Sequence, residues 1–207
     1  MIFPFNHIKF SPHRNYLENY LKKELPKLKG SVLDVGSSNR RYDYLLNQKP
    51  TAIDIKENKD KEVFFGDVNN LSFADKFFDN IICLEVFEYL KTPQKAINEI
   101  YRVLKPNGVL ILSCPFMYKT HQDYLRYTPD FWEEELLKSF SQKEIKVIGN
   151  FYTIVLDIIR GKIAKIKFKP VKYLLYLPYL LFVLFVPLSK ISKDSVYASG
   201  YLIIATK

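Results

Sequence analysis

Three acidic residues close short apolar runs: Asp34 in Val32-Leu33-Asp34-Val35, Asp54 in Ala52-Ile53-Asp54-Ile55 and Asp67 in Phe65-Gly66-Asp67-Val68. A carboxylate inside an apolar run is costly to bury without a dedicated partner, so each position calls for one. Gly36 follows the first acid and opens a turn where backbone can approach a ligand while Asp34 accepts from its polar or cationic groups; a turn-capping aspartate is the plainer alternative. Asp54 lies 20 residues further on, the spacing at which an acid after a second strand accepts both hydroxyls of a ribose. Asp67 stands where it would accept from the exocyclic amine of a purine, or else cap a surface turn after Gly66. The set suits a nucleoside. Only the first glycine of a dinucleotide-binding G-x-G-x-x-G is present and no lysine-bearing phosphate loop occurs, which disfavours a nicotinamide enzyme and a nucleotide triphosphatase.

A second group of reactive side chains follows the apolar run Val109 to Ser113. It reads Cys114-Pro115-Phe116-Met117-Tyr118-Lys119-Thr120-His121-Gln122-Asp123-Tyr124-Leu125-Arg126. His121, with an ordinary pKa near neutrality, is the candidate general base, and Asp123 is the candidate beside it. Loop capping by His121 is the competing reading. Arg126 either binds an anionic acceptor or pairs with Asp130 or Glu133, and Tyr124 lies close to it in sequence. His7 and His13 fall in a lead-in broken by Pro4 and Pro12, where surface positions are expected and closure over the site is the alternative.

The elements that must position these residues follow from periodicity. Leu17, Tyr20, Leu21, Glu24 and Leu28 recur at helical spacing up to Gly30, so Tyr16 to Leu28 is an amphipathic leading helix. Strands are expected at Val32 to Val35, Ala52 to Ile55, Val63 to Phe65, Asn80 to Leu84 and Val109 to Ser113. Helices are expected at Arg41 to Asn47, at Thr92 to Leu104 with Thr92 as N-cap and Pro93 at the first position, and at about Pro129 to Phe140. Glu144 to Phe151 and Gly200 to Thr206 complete the strands. Alternating strands and helices predict an α/β, doubly wound Rossmann-like sheet, mostly parallel with an antiparallel last strand, binding its ligand at the strands' carboxyl ends.

With these motifs in order, the chain resembles a class I S-adenosylmethionine-dependent methyltransferase over roughly residues 30 to 150 and the last strand. The likeness runs through Val32-Leu33-Asp34-Val35-Gly36, the acid Asp54, Gly66-Asp67-Val68, Glu85-Val86-Phe87-Glu88-Tyr89-Leu90 and Arg102-Val103-Leu104-Lys105-Pro106-Asn107-Gly108. The resemblance implies S-adenosylmethionine as cofactor, with Asp34 and Gly36 at its methionine end, Asp54 on the ribose, and Asp67 with Val68 at the adenine. It implies Glu85 beside the sulfonium, with Ser38 and Ile55 completing the cofactor set, and Tyr89, Tyr124 and Arg126 on the acceptor side; no metal is implied. Two positions depart from the family: its second and third loop glycines are Ser38 and Arg40, and its usual histidine is Tyr89. A positive φ would strain Ser38, and a large Arg40 is expected to point outward. The segment His121 to Thr128 is similar to one in members associated with sugar and cell-envelope polymer pathways.

Charge is unevenly distributed. The chain carries a formal net charge of +9, and the eight basic residues between Ile158 and Lys193 stand with no acidic one, which leaves +1 for the remainder. The same segment holds Tyr173 to Leu188, apolar, uncharged and interrupted by Pro178 and Pro187. A spanning helix needs about 20 apolar residues. The organisation expected is therefore a methyltransferase domain of residues 1–157 and 195–207 with a hydrophobic, basic insertion at 158–194. That insertion is read as an interfacial or re-entrant element, or a homodimer face, with a hairpin folded on its own core as the alternative. No nucleic-acid partner is expected, because the cations cluster with the apolar run. No cleavable leader is visible and Cys83 and Cys114 fall in core runs, so a cytoplasmic protein, peripheral at the inner membrane face, is the expectation. The activity implied is methyl transfer to an oxygen or nitrogen of a small-molecule, glycan or lipid-linked acceptor. The alternative is a non-catalytic adaptor of the same fold.

Overall fold

The computed structural model describes residues 11–117, 122–185 and 197–207. Helix α1 (Pro12–Glu24) leads into β1 (Val32–Val35), β2 (Thr51–Asp54), β3 (Val63–Phe65) and β4 (Phe78–Leu84). Then come α2 (Pro93–Val103), β5 (Leu104–Pro115), β6 (Gln142–Ile148), α3 (Phe151–Ala164), α4 (Lys169–Phe185) and β7 (Gly200–Thr206). The seven strands form one sheet in the order β3-β2-β1-β4-β5-β7-β6. Strands β3, β2, β1, β4 and β5 pair in parallel, with Asp34 opposite Ala52 on one side and Ile82 on the other. Lys207 exchanges backbone hydrogen bonds with Asn107 and Gly108 near the start of β5, and Ser141, just before β6, donates its N–H to Thr206 at the end of β7. These pairings run the last strand antiparallel. Val32, Leu33, Val35, Ile81, Ile82, Cys83, Leu110, Ile111 and Leu112 are all buried, as a parallel sheet covered on both faces requires.

By internal contacts the chain divides into two compact units: one of residues 21–116, 120–146 and 201–207, the other of 1–20, 117–119 and 147–200. In the first, α2 turns Ala96, Ile97, Ile100 and Val103 inward. Thr92 precedes it but does not cap with its side chain; its hydroxyl donates to Asn69 Oδ1 at 3.0 Å, tying the helix start to the loop after β3. The helix expected at Arg41 to Asn47 is a single 3₁₀ turn, Asp43–Leu45. Arg40 draws the chain aside there, donating to the carbonyls of Glu62 and Pro50. The helix expected at Pro129 to Phe140 is shorter. Thr128 caps one α turn, Pro129–Phe131, which widens into a π turn over Trp132–Leu136. Trp132 is fully buried against Phe87 and Tyr127, and the Leu137 N–H reaches back to its carbonyl.

The second unit opens where a strand to Phe151 was expected. Gly149 takes φ +71, and Asn150 and Thr153 form a reciprocal capping box, so Phe151 begins α3 instead. The expected domain boundary at residues 157/158 therefore falls inside a helix. Leu156 and Ile163 of α3 meet Tyr179, with Tyr176, Leu180, Tyr16 and Tyr152 around them, giving this unit a small apolar core of its own. Helix α4 carries Pro178 in its interior. Among the described residues no helix is long and apolar enough to cross a membrane.

Candidate functional site

The three acids end neighbouring parallel strands. Asp34 lies in β1, Asp54 closes β2, and Asp67 follows β3 by one glycine. The N–H groups of Gly36 and Ser37 both donate to the Ile53 carbonyl, at 2.8 and 3.1 Å, which pins the turn after β1 against β2. Gly66 donates to the Asp54 carbonyl at 3.0 Å and joins the third strand end to the second. Gly36 sits at φ +73, and a Cβ there would fall 2.3 Å from Val86 Cγ2, so the close approach needs glycine.

Asp34 is half-buried beside Asp54 and Asp43. Burial, then the negative charge of Asp43, pushes its carboxyl up to about 7; Arg40 opposes the shift and Asp54 adds to it. Such a group favours a cationic partner. Asp54 accepts the Ser38 N–H through Oδ2 at 3.0 Å and the Lys56 N–H through Oδ1 at 2.9 Å. Each carboxylate oxygen has a second lone pair, so both remain able to accept from a hydroxyl. Asp67 forms a turn in which Oδ1 accepts the Asn69 N–H at 2.8 Å and the Asn69 side-chain amide at 3.1 Å. The capping role weighed for it is thus present, and it occupies one oxygen. Val68 beside it is buried, whereas Ile55 is 69% exposed, an apolar side chain standing open next to Asp54.

The two non-glycine turn positions are both left-handed, Ser38 at φ 52 and Arg40 at φ 54. The expectation that Arg40 points outward is overturned. Its side chain is only 9% exposed and ion-pairs with Asp43 at 2.6 Å while donating to Glu62 O at 3.0 Å and Pro50 O at 3.1 Å. Those two carbonyls and Asp43 hold the guanidinium inward.

On the other side of β1, Glu85 follows β4 at φ 58 and accepts from the Ser113 hydroxyl at 2.8 Å. Glu88, which sequence reasoning treated only as a motif position, is fully buried. Burial raises its carboxyl to about 8, reinforced by Glu85 and Asp123 and opposed by Arg126. Its backbone carbonyl accepts the N–H of Tyr124 at 2.7 Å, so the same residue anchors the segment that carries Tyr124. An acid inside the apolar string Val86-Phe87-Glu88-Tyr89-Leu90 was the available signal.

Arg126 pairs with neither Asp130 nor Glu133. Its Nε lies 2.6 Å from Asp123 Oδ2 and its Nη1 donates to Phe116 O at 3.1 Å. The Asp123 carboxylate, a candidate beside His121, is thus paired with Arg126. Tyr89 and Tyr124 are exposed, and Lys91 stands over the Tyr124 ring at 5.1 Å. His121 lies outside the described residues, as do His7 and 186–196 of the basic segment. His13 is buried in the second unit, its Nδ1 2.8 Å from Ser199 Oγ, and not on the surface as expected.

Residues 33–112 match the family described as methyltransferase domain. The chain is 31% identical to the tRNA (carboxymethyluridine(34)-5-O)-methyltransferase of Arabidopsis thaliana over 40% of its own length and 23% of that protein's. It is 33% identical to the ubiquinone biosynthesis O-methyltransferase of Rickettsia prowazekii (strain Madrid E) over 36% of its length and 34% of the relative's. The chain thus spans about a quarter to a third of these relatives. Among solved structures, a SAM dependent methyltransferase from Archaeoglobus fulgidus superposes with a TM-score of 0.64 at 18% identity, covering 94% of each chain, a likeness of fold. The strand order and the acids that end β1 and β2 accord with these likenesses: residues 33–112 are similar to a methyltransferase domain, and the chain has the fold of a SAM dependent methyltransferase.

Proposed function

We propose that the chain transfers a methyl group from S-adenosylmethionine to an oxygen or nitrogen of a small-molecule, glycan or lipid-linked acceptor. The observation that carries this reading is the joining of three strand-end acids through backbone: Ser38 to Asp54, and Gly66 to Asp54. The residues present suit the cofactor. Asp34 has the chemistry to meet a cationic methionine end, Asp54 keeps lone pairs for the ribose, and Gly36 leaves the space that a Cβ would lose against Val86. When bound, S-adenosylmethionine supplies an electrophilic methyl on a sulfonium.

The protein's share is then alignment and exclusion of water. Asp34 and Asp54 hold the donor from two strands, while Glu85, fixed by Ser113, borders the transfer side. Tyr89 and Tyr124 present exposed rings to an acceptor, and the Asp123–Arg126 pair stiffens the segment that carries Tyr124. His121 is proposed as the base for a hydroxyl acceptor. Excluding nucleic acid rested on charge distribution alone; two relatives are named for tRNA, so an RNA acceptor belongs in the assay.

Peripheral membrane contact through residues 158–193 is proposed alongside. Exposed Ile158, Phe168, Tyr173, Leu174 and Leu177 beside lysines support it, and self-association through the same face is the other use. The adaptor reading is favoured by one observation, the side chains standing at Ser38 and Arg40 in place of glycine. Calorimetric titration with S-adenosylmethionine decides between them, followed by radioactive methyl incorporation into lipid, glycan, metabolite and RNA extracts. Absence of heat with the fold intact removes the enzyme.

A further inference from the structure

Helix α3 borders a cavity of about 410 Å³ whose lining includes Met117, Ile154, Ile158, Arg160, Lys162 and Lys165. Two features of this cavity, and one of the core beside it, point to a ligand. Gly161 lies in the lining, and a Cβ built on it meets no atom within 4 Å. Glycine within a helix costs about 1 kcal/mol against alanine, and no close packing demands it here. Tyr179, buried in the adjoining core, has a hydroxyl with no hydrogen-bond partner among the described residues, and it lies in the field of Asp157 and Arg160. The charge is one-sided: from Ile158 to Leu181 the two helices and their connection carry Arg160, Lys162, Lys165, Lys167, Lys169 and Lys172 and no acid. Asp157, the one carboxylate in the lining, is occupied. It accepts the His13 N–H at 3.0 Å and faces Arg160 Nε at 3.4 Å. Lys172 is also engaged, on the Ala164 carbonyl.

We propose that this cavity seats the phosphate of an anionic membrane phospholipid, with Arg160, Lys162 and Lys165 as donors and Met117, Ile154 and Ile158 against the adjoining hydrocarbon. Cations beside apolar walls match a phosphodiester attached to an acyl chain, and Ile158, in the lining and itself exposed, carries the apolar wall out to the surface. The inference rests on the peripheral-contact reading and names its seat; it does not depend on methyl transfer.

Sedimentation of the full chain with phosphatidylglycerol and with phosphatidylcholine vesicles tests it. Binding is expected to the anionic vesicles alone, about fivefold weaker for Lys162→Ala. Gly161→Leu keeps every charge, favours the helix and fills the cavity, so it is expected to lower binding at least tenfold. Wild-type sedimentation of Gly161→Leu would overturn the cavity while leaving surface contact standing, and equal binding to neutral vesicles would overturn both. Release of the protein by millimolar glycerol phosphate would assign the cavity to a soluble phosphate ester and sink the lipid. Circular dichroism of each variant separates lost binding from lost fold.

Discussion

The Asp54 carboxylate holds the amide of Ser38 at 3.0 Å, so the acid that ends β2 also fixes the left-handed turn after β1. One side chain thereby joins the two strand ends that would embrace a nucleoside. A charge-assisted hydrogen bond of this kind contributes about 1.5–3 kcal/mol. Asp54→Ala is expected to weaken S-adenosylmethionine binding at least tenfold by calorimetry and to lower the urea midpoint as the turn loses its acceptor. Ser38→Gly relieves a φ of 52 and is expected to raise apo stability by about 1 kcal/mol with binding retained. An unchanged affinity in Asp54→Ala would remove the ribose assignment.

Asp34 makes the apo protein pH-sensitive. Its folded pKa of about 7 lies above the unfolded carboxyl value, so the folded state holds a proton that the unfolded state has released. Stability from this group is complete below pH about 4 and declines as pH rises to about 7. Asp34→Asn is expected to stabilise the apo protein by roughly 2 kcal/mol at pH 8 and by nothing at pH 4, while losing cofactor binding. In the wild type, affinity for the cationic cofactor should fall as pH drops below about 7, where Asp34 is protonated. A pH-independent dissociation constant between pH 5.5 and 8 would contradict this role.

Arg40→Ala measures how far the inward guanidinium organises the β1–β2 connection. A surface arginine would cost within about 0.5 kcal/mol, whereas stranding the Pro50 and Glu62 carbonyls and Asp43 should cost about 2–3 kcal/mol in chemical denaturation. Arg40→Lys is expected to restore little, since one ammonium cannot reproduce the planar fork that meets three acceptors. A loss below about 0.5 kcal/mol would return Arg40 to the surface role that its residue type suggested.

The strands and their acids were legible because burial of a parallel sheet writes continuous apolar runs, and an aspartate within such a run stands out. Arg40 was misread because residue type sets a preference for solvent, while the carbonyls of Pro50 and Glu62 that override it come from residues 10 and 22 positions away. The shortened helix at Trp132 has the same kind of origin, for the fit of a fully buried indole between Phe87 and Tyr127 is a tertiary fact. Thr92 read correctly as the N-cap residue of α2, although its hydroxyl makes no capping bond and is diverted to Asn69. Glu88 illustrates the remaining gap: the apolar string around it hinted at burial, but Glu85, Asp123 and Arg126 converge on it only in the fold.

Glu88 supplies the last test because its neutral form is what the interior tolerates. Its folded pKa of about 8 exceeds the unfolded carboxyl value, so its contribution is complete below pH about 4 and is lost as pH rises through about 8. Ionisation there places a third negative charge beside Glu85 and Asp123 against the single Arg126. Glu88→Gln is nearly isosteric with the protonated acid and cannot ionise. It is expected to match the wild type within about 1 kcal/mol at pH 5 and to exceed it at pH 9, read as urea midpoints at the two pH values. Tyr124 hangs from the Glu88 backbone carbonyl, which the variant leaves in place, so any acceptor-side activity should persist at neutral pH and survive further into the alkaline range. Parallel pH–stability curves for the two proteins would mean that Glu88 is already ionised at neutrality.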